Sequence, residues 1–187
     1  MTAGSKGAAL LNYTKVVSLK KNDGGKIRGL VFVDQLSCEE HSVNARVIIN
    51  AAGAFCDAVR SMSNDSAKPI VTLSQGIHLV FGREFMPSDT AMMIPKTSDG
   101  RVLFCIPWLG STLVGTTDTP VALPDLEPSA LEAEIDFVLE NAGKYLESKP
   151  MREDILSVFA GIRPLAKDSS AKNTASLSRG HTIEIDN

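Results

Sequence analysis

Between Pro69 and Thr116 four apolar stretches, Pro69 to Phe81, Ala91 to Pro95, Arg101 to Trp108 and Thr112 to Thr116, are separated by turn chemistry. Thr97-Ser98-Asp99-Gly100 and Leu109-Gly110-Ser111 place Asp and Gly where tight hairpins need positive φ, so the stretches predict an antiparallel meander. Alternation within them is only partial, which predicts that some strands are covered on both faces. With 43% hydrophobic against 22% charged residues, such a sheet can bury a core, and disorder is excluded as the main state.

Ahead of this region, Leu10 to Leu19 and Lys26 to Asp34 read as two strands joined by Asn22-Asp23-Gly24-Gly25. A third strand is expected over Asn44 to Asn50. Its continuous run Val47-Ile48-Ile49 suits a strand of parallel type buried on both faces. It runs into Ala51-Ala52-Gly53, small residues that let another backbone or a flat ligand come close, or that simply pack tightly. Phe55 to Met62 has room for about two helical turns. The polar break Ser63 to Lys68 predicts a boundary between a first part, 1–65, and a second, 66–187, in a chain of α+β class.

One long helix is expected from about Pro128 to Leu146. Leu131, Ile135, Val138, Leu139, Ala142, Tyr145 and Leu146 recur at helical spacing, and Glu132, Glu134, Asp136 and Glu140 fall on the opposite face. Pro128 suits a first-turn position and Ser129 with Glu132 the spacing of a capping box. Further strands are expected at Leu156 to Ala160 and Thr182 to Ile185.

Several function classes are excluded. Nineteen basic against 22 acidic residues leave a net charge of −3, without the concentrated basic face that nucleic-acid binding needs. Three distant cysteines, Cys38, Cys56 and Cys105, make neither a disulfide framework nor a zinc site, and no metal is expected. No run is long enough to span a membrane and the first residues lack a secretion signal, which points to a cytoplasmic chain. There is no Walker loop, GxSxG elbow, HExxH or GxGxxG fingerprint.

Three polar groups stand among the apolar strands: Gln75-Gly76-Ile77-His78, Gly161-Ile162-Arg163-Pro164-Leu165 and Ser178-Arg179-Gly180-His181. His78 is either a backbone-bonded structural histidine or a proton acceptor near neutral pH. Arg163 and Arg179 are either solvated or fixed for a bidentate grip on phosphate or carboxylate. Gly115-Thr116-Thr117-Asp118 is either a plain turn or the lining of the same cleft through its hydroxyls and backbone. A histidine with two fixed arginines suggests a site for a small anionic molecule.

Ile48-Ile49-Asn50-Ala51-Ala52-Gly53, Gly76-Ile77-His78, Phe104-Cys105-Ile106-Pro107-Trp108, Gly115-Thr116-Thr117-Asp118 and Gly161-Ile162-Arg163-Pro164-Leu165 resemble, in order and spacing, the FAD-dependent glycerol-3-phosphate dehydrogenases. The resemblance runs from about Ala8 to Asp186. It implies a central segment of a longer flavoprotein, lacking the Gly-rich FAD motif and the closing part of the site. The first part would belong to a Rossmann-like FAD domain with its β-meander, and the second to a D-amino-acid-oxidase-like substrate domain, an antiparallel sheet covered by helices.

By the same resemblance, hydride from carbon 2 of sn-glycerol 3-phosphate would pass to flavin N5, giving dihydroxyacetone phosphate, while His78 takes the hydroxyl proton. Arg163 and Arg179 would hold the phosphate with help from Thr116 and Thr117, and Val16, Ala52 and Gly53 would approach the cofactor. Electrons would leave to quinone or oxygen, in a parent able to meet a membrane peripherally at its cytoplasmic face. This segment alone would be inactive and retain no FAD. Two other readings stand beside it: a related FAD-dependent amine or hydroxy-acid oxidase, and an isolated, non-catalytic binding or interaction domain.

Overall fold

The structure is a computed structural model that describes residues 2–167, Leu177, Gly180 and 182–185. Its elements, in chain order, are α1 (Thr2–Ser5), β1 (Thr14–Lys21), β2 (Ile27–Asp34), β3 (Glu40–Asn44), α2 (Cys56–Ser61), β4 (Val71–Gly82), β5 (Met92–Ile94), β6 (Leu103–Trp108), β7 (Ser111–Gly115), β8 (Thr119–Val121), α3 (Glu132–Ala142) and β9 (Ser157–Ala166). The chain divides into two compact units, one formed by 1–69 with 182–187 and one by 70–181. The fold class is α+β, with every strand pair antiparallel among the described residues.

In the first unit, β1, β2 and β3 form a meander in sequence order. Its first turn is built as the sequence predicts: Asn22 Oδ1 accepts the Lys26 N–H, and Gly25 takes a φ of +76° that an L side chain resists. The expected strand over Asn44 to Asn50 is corrected. The third strand ends at Asn44 and pairs antiparallel with β2, while residues 45–52 carry no regular structure. Among the described residues no strand lies beside Val47-Ile48-Ile49, and a strand buried on both faces requires one on each edge. Val47 and Ile49 are consequently 74% and 85% exposed.

The second unit is a six-stranded sheet in which β4 is central. β9 pairs along one edge of β4 over Val71 to Val80. The other edge is shared, β8 pairing at Leu73 to Gln75 and β7 at His78 to Gly82, with β6 and β5 continuing outward from β7. Because side chains alternate along a strand, Ile77, Leu79 and Phe81 of β4 face one way, where they meet Leu103, Cys105, Val114 and the helix α3 in a core. Burial in this core pushes the Cys105 thiol up to about 11, so it behaves as an inert apolar group.

α3 packs on the sheet through Val138, Leu139 and Ala142, with Ile135 partly buried against the same core. Leu131 and Tyr145, expected in the stripe, are about half exposed. The helix begins at Glu132, later than Pro128, and the Ser129–Glu132 box is replaced: Glu134 Oε2 accepts the Leu131 N–H at 3.0 Å. Glu132 is instead paired with Arg152, which also holds Asp136, at 2.5 Å each. Glu134, expected on the polar face, is buried at 4% exposure. It stands four residues before Val138, so helical geometry places it on the buried stripe. Residues 182–185 form no strand.

Candidate functional site

The face of β4 opposite the core carries Ser74, Gly76 and His78, and the ladders extend it sideways. His78 lies between Gly115 of β7 and Phe159 of β9, Gly76 pairs with Gly161, and Ser74 pairs with Arg163. Phe104 of β6 is opposite Gly115 and continues the His78 row. Phe104 and Phe159 are both exposed, so this face offers a partly aromatic floor rather than a closed core.

Two glycines decide where the polar side chains rest. A Cβ on Gly115 would lie 2.4 Å from the His78 ring, and one on Gly76 would lie 2.2 Å from Nη2 of Arg163. The imidazole and the guanidinium therefore lie flat over backbone that only glycine leaves clear. The two β4 positions are two residues apart, roughly 7 Å along the strand. The His78 ring also stacks on Phe159, with centroids 5.2 Å apart and planes inclined by 15°.

Partial burial first, and then the positive charge of Arg163, hold the His78 imidazole below its ordinary value of 6.5. A neutral ring can accept a proton at neutral pH. Arg163 is aimed by the segment that follows β7: Nη1 donates to the Thr117 carbonyl at 3.1 Å and Nη2 to Thr116 Oγ1 at 2.8 Å. Half-buried and gripped through two nitrogens, the guanidinium is held in one orientation, a form in which an arginine can grip a planar or phosphate anion.

The expectation that Thr117 meets a ligand through its hydroxyl is not what this geometry provides. Its side chain turns to the core side, donating to Glu134 Oε1 at 2.8 Å and accepting the Ile77 N–H at 3.1 Å. That N–H falls in the gap where β7 has ended and β8 has not begun. Thr116, by contrast, is half-buried beside the guanidinium it binds.

Glu134 and Gln75 form a buried layer behind the site; the sequence singled out Gln75 beside His78 but placed Glu134 on the polar helix face. Burial alone would raise the Glu134 carboxyl, but the Leu131 N–H, the Thr119 hydroxyl, the Gln75 amide and the Thr117 hydroxyl together hold it below its ordinary value. The available signal was its spacing from Val138 and the hydroxyl-rich Thr116-Thr117-Asp118-Thr119, which calls for a buried acceptor. Asp118 turns outward from this layer, accepting the Ser74 hydroxyl and approaching Arg101.

Arg179 lies outside the described residues. Val16, Ala52 and Gly53 belong to the first unit, Val16 opposite Phe32 in the meander and Ala52-Gly53 on an exposed turn. Asn50 shapes that turn, accepting the Ala52 N–H at 3.2 Å and donating to the Cys56 carbonyl at 2.9 Å, while Gly53 takes a φ of +56°. No side chain larger than methyl stands on Ala51-Ala52-Gly53, so a planar ring system can meet this backbone directly, which fits a flavin. No cluster of three His, Cys, Asp or Glu suited to a metal occurs among the described residues.

A model of the family described as FAD dependent oxidoreductase matches residues 1–180, and the chain belongs to that family. It is similar to a mitochondrial glycerol-3-phosphate dehydrogenase of Arabidopsis thaliana, 43% identical over 187 residues, covering 100% of this chain and 30% of that protein. The mitochondrial glycerol-3-phosphate dehydrogenase of Mus musculus is 41% identical over 192 residues, covering 99% of this chain and 26% of its own length. The chain thus spans less than a third of these relatives. Among solved structures, the glycerol-3-phosphate dehydrogenase from Bacillus halodurans complexed with FAD matches with a TM-score of 0.81 at 34% identity, over 88% of this chain and 33% of that one. The L-proline dehydrogenase from P. horikoshii, at 16% identity and a TM-score of 0.63, shares the fold.

Proposed function

We propose that the protein carrying this segment is an FAD-dependent glycerol-3-phosphate dehydrogenase, oxidising sn-glycerol 3-phosphate to dihydroxyacetone phosphate. The observation that carries this reading is the pairing of His78 and Arg163 on one open face, each lying over a glycine. A neutral base and a fixed guanidinium on the same face of one sheet suit a small molecule with a hydroxyl at one end and a phosphate at the other. Similarity to glycerol-3-phosphate dehydrogenases over the whole chain supports the same substrate.

FAD, when bound, supplies the two-electron acceptor, and the exposed Ala52-Gly53 turn with Val16 would meet its ring system. His78 takes the proton of the carbon-2 hydroxyl. Its neutrality is maintained by partial burial and by the nearby Arg163 charge. Arg163 binds the phosphate and favours negative charge developing at the hydroxyl oxygen. Arg179 is the second arginine of the phosphate site. Thr116 fixes Arg163 beside the substrate, and Thr117 contributes through its carbonyl.

Re-oxidation by quinone or oxygen and peripheral contact with a membrane complete the reading. No helix among the described residues is long and apolar enough to cross a membrane. The mitochondrial relatives favour a site of action in that organelle over the cytoplasm.

The test is turnover by the longer protein carrying this segment, with sn-glycerol 3-phosphate, L-proline and glycerol compared at equal flavin content. Glycerol 3-phosphate should be the preferred substrate, and preference for proline or unphosphorylated glycerol would overturn the reading. His78→Ala should lower kcat by roughly 100-fold or more, whereas Arg163→Lys should chiefly raise KM, because a point charge replaces a planar fork. Since the His78 value is lowered, its base form persists as pH falls, and the acid limb of kcat/KM should lie below pH 6.5. Arg163→Met removes the neighbouring charge and should move that limb upward.

A further inference from the structure

We propose that Glu134 is a positioning residue of this site, acting through Thr117 to hold the segment that aims Arg163 and thereby setting affinity for the substrate phosphate. The inference rests on the function proposed above and deepens it.

A carboxylate at 4% exposure is costly unless its oxygens are fully engaged. Glu134 meets four donors: the Thr117 and Thr119 hydroxyls at 2.8 and 2.7 Å on Oε1, and the Gln75 amide and Leu131 N–H at 2.8 and 3.0 Å on Oε2. An ionised carboxylate only accepts, so it dictates that each hydroxyl points its proton inward. With its proton committed, the Thr117 oxygen has lone pairs directed at the Ile77 N–H, and the side chain is pinned at both ends.

The carbonyl of the same residue receives Arg163 Nη1, and the adjacent Thr116 hydroxyl receives Nη2. Thr117 is therefore a rigid link with the carboxylate on one side of the sheet and the guanidinium on the other. The second oxygen of Glu134 holds Gln75, the residue before Gly76, over which the guanidinium lies. One buried group thus sets both the contacts at the tip of Arg163 and the strand beneath it. A carboxylate that only stabilised the helix start would need the Leu131 N–H alone.

The experiment uses the longer flavin-loaded protein with Glu134→Gln, Thr117→Val and Thr117→Ser. Valine keeps the shape of threonine without its hydroxyl, and serine keeps the hydroxyl. Thr117→Val should raise KM for glycerol 3-phosphate about tenfold with a smaller change in kcat, since the lost hydrogen bond serves a charged acceptor. Thr117→Ser should restore KM, and Glu134→Gln, whose amide turns a donor toward donors, should raise it at least as much as valine. A readout independent of turnover is the 15N spectrum of the Arg163 side chain. Resolved Nη signals from a held guanidinium should coalesce in Thr117→Val and Glu134→Gln and return in Thr117→Ser.

Unchanged KM and unchanged Nη signals in Thr117→Val would overturn the positioning role while leaving the proposed function intact. Coalescence of the Nη signals in a protein that does not oxidise glycerol 3-phosphate would uphold the hold on Arg163 and overturn the substrate assignment, with the affinity claim that depends on it. If Glu134→Gln fails to fold, the valine and serine pair decides alone.

Discussion

Both units make antiparallel ladders, the β1–β2 ladder with two register shifts, and they differ most in what lies behind them. Among the described residues of 1–69 only Gly29 is buried, and Val17, Val43, Val47 and Ile49 are exposed. In the second unit Ile77, Leu79, Phe81, Ile94, Leu103, Val114 and Val138 have no accessible surface. A ladder needs only backbone and turn chemistry, whereas a core needs a second layer, supplied here by α3. The side chains that could carry chemistry and that lie among the described residues of the second unit, His78 and Arg163, stand on the layer with a core behind it. A rigid floor is what holds an imidazole and a guanidinium at fixed spacing.

The sharpest way to break the contrast is to remove apolar volume from each unit. Phe81→Ala should destabilise the second unit by about 3–5 kcal/mol, while Ile49→Ala should change stability by less than about 0.5 kcal/mol. Denaturant unfolding checks both, and a comparable cost at Ile49 would mean that the first unit has a core of its own. Hydrogen exchange should follow the same division, slow in β4 and β7 and fast in β1 to β3.

A smaller effect tests the glycine floor. Gly76→Ala puts a methyl group where the Arg163 guanidinium lies, and KM for the proposed substrate, glycerol 3-phosphate, should rise on the order of 10- to 100-fold as the arginine is displaced. Steady-state kinetics with circular dichroism separates this from unfolding, and an unchanged KM would show that Arg163 does not need its seat. The smallest effect belongs to the first unit. Gly25→Ala, at a φ of +76°, should cost about 1 kcal/mol in the meander and leave KM and kcat as they were. A change in KM there would mean that the meander's turn is coupled to substrate binding.

Much of the ladder was readable because its determinants are local. Asp23-Gly24-Gly25, Asp99-Gly100 and Leu109-Gly110 mark turns by φ preference alone, and the strands around them follow within a few residues. The Val47-Ile48-Ile49 run misled because apolar continuity states a need for neighbours without supplying them. Glu134 misled for the converse reason: a carboxylate near a helix start reads as solvated until four donors, from β4, from the segment entering β8 and from its own helix start, close around it.

His78 and Arg163 were visible as candidates by residue type and by their apolar surroundings, and the hydroxyl-rich segment after Val114 marked a third. Their relation to one another was not visible. It depends on a register in which Arg163 falls opposite Ser74 and His78 opposite Gly115, so that two glycines far apart in sequence become the surfaces on which the side chains lie. Residue type and turn chemistry act within a few positions along the chain, and so the sequence by itself determined the hairpins, the apolar helix stripe and the chemical candidates. Strand register and the burial of Glu134 were decided only by tertiary structure, because the register joins residues as far apart as His78 and Gly115 or Ser74 and Arg163, and Glu134 is closed in by Gln75 of β4 together with Thr117 and Thr119.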